Sequence, residues 1–226
     1  MELGPLYLSF KLAFTTTLCL FIFCIPFSYF LATLNPRLRS FVEASANLPL
    51  VLPPTVLGFY LLVFLAPNSV LGQFFDSYFS IRFLFTFQGL VLASCIYSFP
   101  FMFQPILASF LSFPRSLIEL SYVLGKTKVK TIQTIVIPIV TPNLVKACMM
   151  TFAHTVGEFG VILMVGGNIP GETRVASVAI YDQFENMNYD QAQLMSIILV
   201  LFSFIILWLL AHFTSKDYLK NASANN

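Results

Sequence analysis

The sequence predicts an all-α integral membrane protein of about five kinked transmembrane helices, and three observations carry that expectation. Of the 226 residues, 58% are hydrophobic, 16% aromatic and only 10% charged, where a soluble domain carries about 25% charged residues. The charges are also clustered: Leu12 to Pro36, Ala44 to Phe75, Phe83 to Pro114 and Gln191 to Ser215 contain no Asp, Glu, Lys or Arg. Each stretch exceeds the roughly 20 residues that a helix needs to cross a hydrocarbon core. Finally, a fifth apolar region, Ile137 to Gly166, is long enough to span although it contains Lys146, His154 and Glu158. Lys146 lies near one end and can snorkel its ammonium to the interface. This composition excludes a soluble enzyme, a disordered chain and a nucleic-acid binder, and a net charge of +2 is too small to imply a polyanionic partner.

The expected spans are 8–34, 46–66, 84–110, 138–165 and 191–214. The first lacks a basic leading region and is far longer than a signal-peptide core of about 7–15 residues, so it is expected to be a retained helix. Prolines punctuate the first four: Pro26, then Pro49, Pro53 and Pro54, then Pro100 and Pro105, then Pro138 and Pro142. Each removes an amide donor and crowds the preceding turn, which kinks a helix. In lipid the carbonyl so freed needs a neighbouring helix or water in a cavity. Such density suits a packed bundle with mobile segments better than a simple anchor. Cys19, Cys24, Cys95 and Cys148 all lie inside apolar segments with no metal-ligand spacing and are expected as small buried hydrophobes. Asn221-Ala222-Ser223 fits a glycosylation pattern that is common by chance.

Five spans place the termini on opposite sides, and the loop cations orient them. Arg37, Arg39, Arg115, Lys126, Lys128, Lys130, Lys216 and Lys220 fall on one side; Lys11, Arg82 and Arg174 fall on the other. The N-terminus is therefore expected outside and the C-terminus in the cytoplasm, with the loop 112–138 cytoplasmic and the loop 166–190 external.

In the cytoplasmic loop, Ser116 to Leu124 is rich in Leu, Ile and Val and ends at Gly125, which suits the left-handed position after a helix C-terminus. A short surface helix is expected there, presenting Leu117, Leu120, Val123 or Leu124 to a partner or to its own bundle. Gly125-Lys126-Thr127 imitates the end of a phosphate-binding loop, but Leu120 stands where that pattern needs glycine, so no nucleotide site is expected. In the external loop, Pro170-Gly171 reads as a turn, because Pro fixes φ and Gly supplies a positive φ after it. Val175, Val178, Ala179 and Asp182 then recur at helical spacing. Glu172, Asp182, Glu185 and Asp190 outweigh Arg174, so this loop repels a free dianion.

His154 and Glu158 are one helical turn apart, so their side chains can meet. Intramembrane ionisable groups point to function, either as a structural or gate-closing hydrogen-bond pair or as part of a path lining. Thr151, Thr155 and the carbonyls freed near Pro53 and Pro54 offer neutral, weakly binding surfaces.

Glu119, Gly125 six positions on, and Ile135, Ile137 and Pro138 have the spacing of the coupling ("EAA") loop of permease subunits of bacterial ABC importers, with Leu120 and Ser121 in place of its alanines. The stretch Leu48 to Gly58, with Pro53, Pro54 and Thr55, resembles the signature of the molybdate permease family. So do Gly157-Glu158-Phe159-Gly160 and Gly167-Asn168-Ile169-Pro170-Gly171-Glu172-Thr173; the resemblance covers about 8–214. It implies one permease domain over 1–226 in the bacterial inner membrane, carrying molybdate or tungstate, with sulfate and thiosulfate permeases as the near alternative. It further implies a homodimer with two ATP-binding subunits below and an extracytoplasmic oxyanion-binding protein above. No cofactor is expected in the chain itself, ATP and Mg being held by the partner. Leu117, Glu119, Leu120, Leu124, Gly125, Lys126 and Pro138 would couple to the ATPase, and Asn168, Pro170, Gly171 and Glu172 would meet the binding protein. Pro53, Pro54, Thr55, Thr151, His154, Thr155 and Glu158 would form the path or gate. Rivals of another class are an intramembrane enzyme, for which only His154 with Glu158 offers an acid–base pair, and a gradient-driven carrier.

Overall fold

The computed structural model describes residues 3–224, with the side chains of Arg115 and of residues 213 onward outside the description. The cations Arg115, Lys216 and Lys220 and the Asn221 tripeptide therefore lie outside the described side chains. Among the described residues every regular element is helical.

Helix α1 (Gly4–Thr33) opens on Pro5 in the first turn, where a missing amide costs nothing, and buries Leu12, Ala13, Thr16, Leu20, Cys24 and Leu31 along one stripe. Asn35 then caps α2 (Pro36–Ala46), its side chain accepting the Arg37 amide at 3.0 Å. The expected second span is not one helix. It comprises α3 (Leu48–Val51) and α4 (Pro54–Leu65), separated by Leu52 and Pro53, whose ψ values of 135° and 137° are extended. A residue before proline is pushed out of the helical region, and Pro53-Pro54 imposes this twice in succession. Helix α5 (Val70–Phe79), capped by Ser69 and bent 56° from α4, carries the apolar run further.

Helix α6 (Phe87–Leu111) is the central span. Leu90, Ala93, Met102, Phe103, Ile106 and Leu107 are fully buried, so it faces neighbours along its whole length. Near one end it meets Leu20, Cys24 and Leu31 of α1, and near the other Leu8 and Leu12. Lipid tails are as apolar as leucine, so burial of apolar surface drives little association here; close packing through small residues does. Ala13, Ala93 and Ala147, all fully buried, supply that closeness.

Helix α7 (Arg115–Val123) ends as expected: the Gly125 amide donates to the Tyr122 carbonyl and the Lys126 amide to the Ser121 carbonyl, both at 3.0 Å, with Gly125 at φ +73°. This is a Schellman termination. The fourth span begins earlier than expected. Thr127 caps α8 (Lys128–Thr131), which continues through a π turn (Ile132–Val136) into α9 (Ile137–Val156), a continuous span over Lys128–Val156. In the π turn the Ile137 amide reaches back to the Ile132 carbonyl. The next residue, Pro138, has no amide and would press on the Thr134 carbonyl in a regular helix; widening relieves that clash. The span also ends earlier: Gly157, Glu158 and Phe159 are not helical, and a separate short helix α10 (Gly160–Gly166) follows them. Helix α11 (Ala176–Glu185) follows the turn, and α12 (Tyr189–Ala224) is the last span. Helix α12 packs inward through Ala192 and Met195 and, further along, through Phe202, whose ring lies 4.6 Å from that of Phe10; Val200, Leu201, Phe204, Ile205 and Trp208 are exposed, as lipid-facing side chains are. Among the described residues four helices are long and apolar enough to cross a membrane, or five counting the bent pair α4 and α5.

Candidate functional site

Two breaks lie side by side. A Cβ on Gly160 would stand 2.9 Å from the Pro54 Cβ, and one on Gly58 would stand 2.8 Å from the Met164 Cβ and 3.2 Å from the Val161 Cα. Helices α4 and α10 therefore run in parallel and begin at the same level, each after a non-helical break. Non-helical backbone at membrane depth persists only where protein buries it or a water-filled cavity receives it. The two breaks differ in burial: Pro53 and Thr55 are exposed and Pro54 half-buried, whereas Glu158 is buried.

A polar seam joins α6 to α9 beside these breaks. Ser94 donates to Glu158 Oε2 at 2.8 Å. Ser98, one turn along α6, lies 2.9 Å from His154 Nδ1 and 2.9 Å from the Thr155 hydroxyl, which in turn donates to the Thr151 carbonyl at 2.9 Å. The His154 ring stacks on Phe101, with centroids 4.0 Å apart, and lies 4.9 Å from Tyr97. His154 and Glu158 are thus held by different serines instead of by each other. The helix ends between them, which removes the one-turn geometry expected from their spacing. Thr151 and Thr155 are buried in this seam, and the Thr151 hydroxyl and Glu158 Oε1 have no hydrogen-bond partner among the described residues. Ser94 and Ser98 went unremarked in the sequence, yet their four-residue spacing mirrors that of His154 and Glu158 across an antiparallel helix pair. Among the described residues no three His, Cys, Asp or Glu side chains are grouped to hold a metal ion.

The segment 167–174 is a rigid knuckle. Gly167, Asn168 and Gly171 have φ of +66°, +59° and +79°, and the Ile169 carbonyl accepts the Glu172, Thr173 and Arg174 amides at 3.0–3.2 Å. Pro170-Gly171 forms the expected turn within it. The buried Thr173 hydroxyl donates to the Gly166 carbonyl at 2.6 Å and accepts the Ile169 amide at 2.9 Å. Arg174 bonds Asn168 at 2.8 Å and pairs with Asp182 at 3.6 Å, tying the knuckle to α11. Pro170, Gly171 and Glu172 are left exposed at its tip, with Asn168 half-buried behind them. On α11 the Tyr181 hydroxyl donates to Glu185 at 2.5 Å, and that bond pushes its pKa above the ordinary tyrosine value.

At the far end of the bundle, α7 turns Leu117 and Ile118 partly inward and buries Ser121, whose hydroxyl lies 2.7 Å from that of Thr131. Lys126 donates to Thr134 at 3.2 Å. Helix α7 is thus pinned to α8, and the turn after it to the π turn; Pro138 lies exposed just beyond, and Glu119, Leu120, Val123, Leu124 and Gly125 are presented outward. Val123 is 84% exposed and Leu124 69%.

Residues 24–216 match the family model described as binding-protein-dependent transport system inner membrane component. The molybdenum transport system permease protein ModB of Azotobacter vinelandii is 43% identical over 209 residues, 92% of each chain. ModB of Escherichia coli (strain K12) is 34% identical over 164 residues, 71% of this chain and 72% of that one. Among solved structures, the bacterial alginate ABC transporter in complex with an alginate pentasaccharide-bound periplasmic protein superposes with a TM-score of 0.74 at 19% identity, over 96% of this chain and 80% of that one, which shows the shared fold. The broken helical spans, the lipid-facing α12 and the match across most of the sequence lead to one conclusion: this chain belongs to the binding-protein-dependent transport system inner membrane component family, as a multi-pass permease of the bacterial inner membrane.

Proposed function

We propose that this chain is the permease subunit of an ATP-driven importer that carries molybdate or tungstate inward by alternating access. The observation that carries the substrate is the 43% identity to a molybdenum permease across 92% of both chains. Uptake of radiolabelled molybdate by cells expressing the complete system tests it. Excess unlabelled tungstate should compete and sulfate should not; competition by sulfate alone would move the substrate to the sulfate class.

The N-terminus faces outside and the C-terminus the cytoplasm, as the eight-to-three distribution of loop cations favours. Two copies surround one conduit, closed twofold assembly being the commonest oligomeric symmetry. The exposed apolar edge of α7, with Glu119, Leu120, Leu124, Gly125 and Lys126, docks on each of two ATP-binding subunits, which hold ATP and Mg, together with Leu117 and the exposed Pro138. The tip Pro170, Gly171 and Glu172, braced by Asn168, meets the oxyanion-binding protein. An acidic outer surface repels a free dianion, so delivery by a partner suits it better than direct capture. Pro53, Pro54 and Thr55 line the path, while Thr151, His154, Thr155 and Glu158 form the seam that closes it. ATP binding by the partner shifts the population toward the outward-open arrangement.

A further inference from the structure

Two serines converge on the turn between α9 and α10, and a third holds the start of the helix that carries one of them. Ser94 of α6 donates to the Glu158 carboxylate at 2.8 Å, and Ser177 of α11 donates to the Glu158 backbone carbonyl at 2.6 Å. Ser9 of α1 accepts the Ala176 amide at 2.8 Å and so caps α11 one residue earlier. Position 158 is therefore gripped from opposite sides: its carbonyl by the helix nearest the expected binding-protein surface, its side chain by the central span. Helix α11 is also tied to the knuckle through Asp182 and Arg174. Beyond the turn, Gly160 packs against Pro54 with no room for a Cβ between them, so the start of α10 lies in close contact with the start of α4. Glu158 Oε1, buried and without a hydrogen-bond partner among the described residues, leaves acceptor capacity for a different arrangement of the same turn.

We propose that Glu158 is a positioning residue: held by Ser177 and Ser94, it transmits docking of the external partner on the knuckle and α11 to the paired breaks at Pro54 and Gly160. The inference rests on the importer reading above. It adds the route by which an external event reaches the gate. A push on α11 is felt at the Glu158 carbonyl, the turn re-aims, and α10 moves with α4 as one unit. The Ser94 bond sets where the turn rests when no partner is docked.

The test uses the complete complex in proteoliposomes, with two readouts: affinity for the binding protein, and the stimulation of ATP hydrolysis that the loaded binding protein causes. Ser177→Ala should keep the affinity and lower the stimulation about fivefold, the factor that one ordinary hydrogen bond represents. Glu158→Gln, which still accepts from Ser94 through its amide oxygen, should retain stimulation, and Glu158→Leu should lose it. Wild-type stimulation in Ser177→Ala would overturn the relay. So would a parallel loss of affinity and stimulation, which would make α11 a docking surface alone. Failure of wild-type complex to respond to any binding protein would instead refute the importer reading itself. Should Glu158→Leu not fold, the Ser177→Ala and Glu158→Gln results decide the matter between them.

Discussion

Replacing Gly160 with alanine should loosen the seam between α4 and α10 without disturbing backbone geometry. The new Cβ would stand 2.9 Å from the Pro54 Cβ, where ordinary contact begins at 3.4 Å. The opposing atom belongs to a proline ring, so it cannot rotate away and the helices must part by roughly half an ångström. Overpacking of this kind costs about 1–3 kcal/mol. At about 2–4 °C per kcal/mol for a chain of this size, the melting temperature in detergent should fall by roughly 2–12 °C. Gly58→Ala strikes the same seam at Met164 and Val161. The double variant should therefore fall short of the sum, because one parting of the helices relieves both clashes. Thermal melting of both single variants and the double variant, with uptake measured alongside, provides the assay. Unchanged melting in both single variants would refute the close approach, and strict additivity would refute the shared seam.

Other consequences follow from particular residues. Gly125→Val meets no atom within 4 Å but forces a branched side chain to φ +73°, a strain of about 1–2 kcal/mol; ATP hydrolysis should continue while uptake falls, read as the ratio of the two rates. Thr173→Val leaves the Gly166 carbonyl and the Ile169 amide without their partner, a loss of about 1–3 kcal/mol; hydrogen exchange should quicken across 167–174, and unchanged protection would mean that the knuckle is held by its backbone turn alone. Single cysteines introduced at Glu172 and Lys126 in a cysteine-free background test the orientation: an impermeant thiol reagent added to spheroplasts should label the first and spare the second, and the reverse pattern would invert the topology.

The spans were legible because absence of charge over twenty or more residues is a strong signal with few physical alternatives. The turn that ends α7 was legible too, since Gly125 sits where only a left-handed residue ends a helix well. Helix α2 was not, although Asn35-Pro36 is a cap followed by a first-turn proline; its charges made the segment read as a loop. Nor was α5, whose Ser69 cap was lost within a continuous apolar run. The beginning of the fourth span was hidden in the same way, because Lys128 and Lys130 resemble loop residues while Thr127 caps them into a helix. The break at Glu158 had only flanking glycines to announce it. What makes it a site is Ser94 and Ser177, 64 and 19 residues away in the chain, and no local pattern reports a partner at that distance.

The π turn at Ile132–Val136 has a bearing on chain length. It holds one residue more than an α-helix of equal reach, stored beside a proline that prevents it from being taken up elsewhere. A one-residue deletion there can close the turn back to regular helix with Lys128 and Thr151 left in their places, if Pro138 is replaced as well. The same deletion three residues into α9 would rotate His154 and Thr155 by about 100° away from Ser98. Differences in length between this chain and its relatives are therefore expected to collect at the turn, and segments grafted from a foreign coupling loop should be joined there.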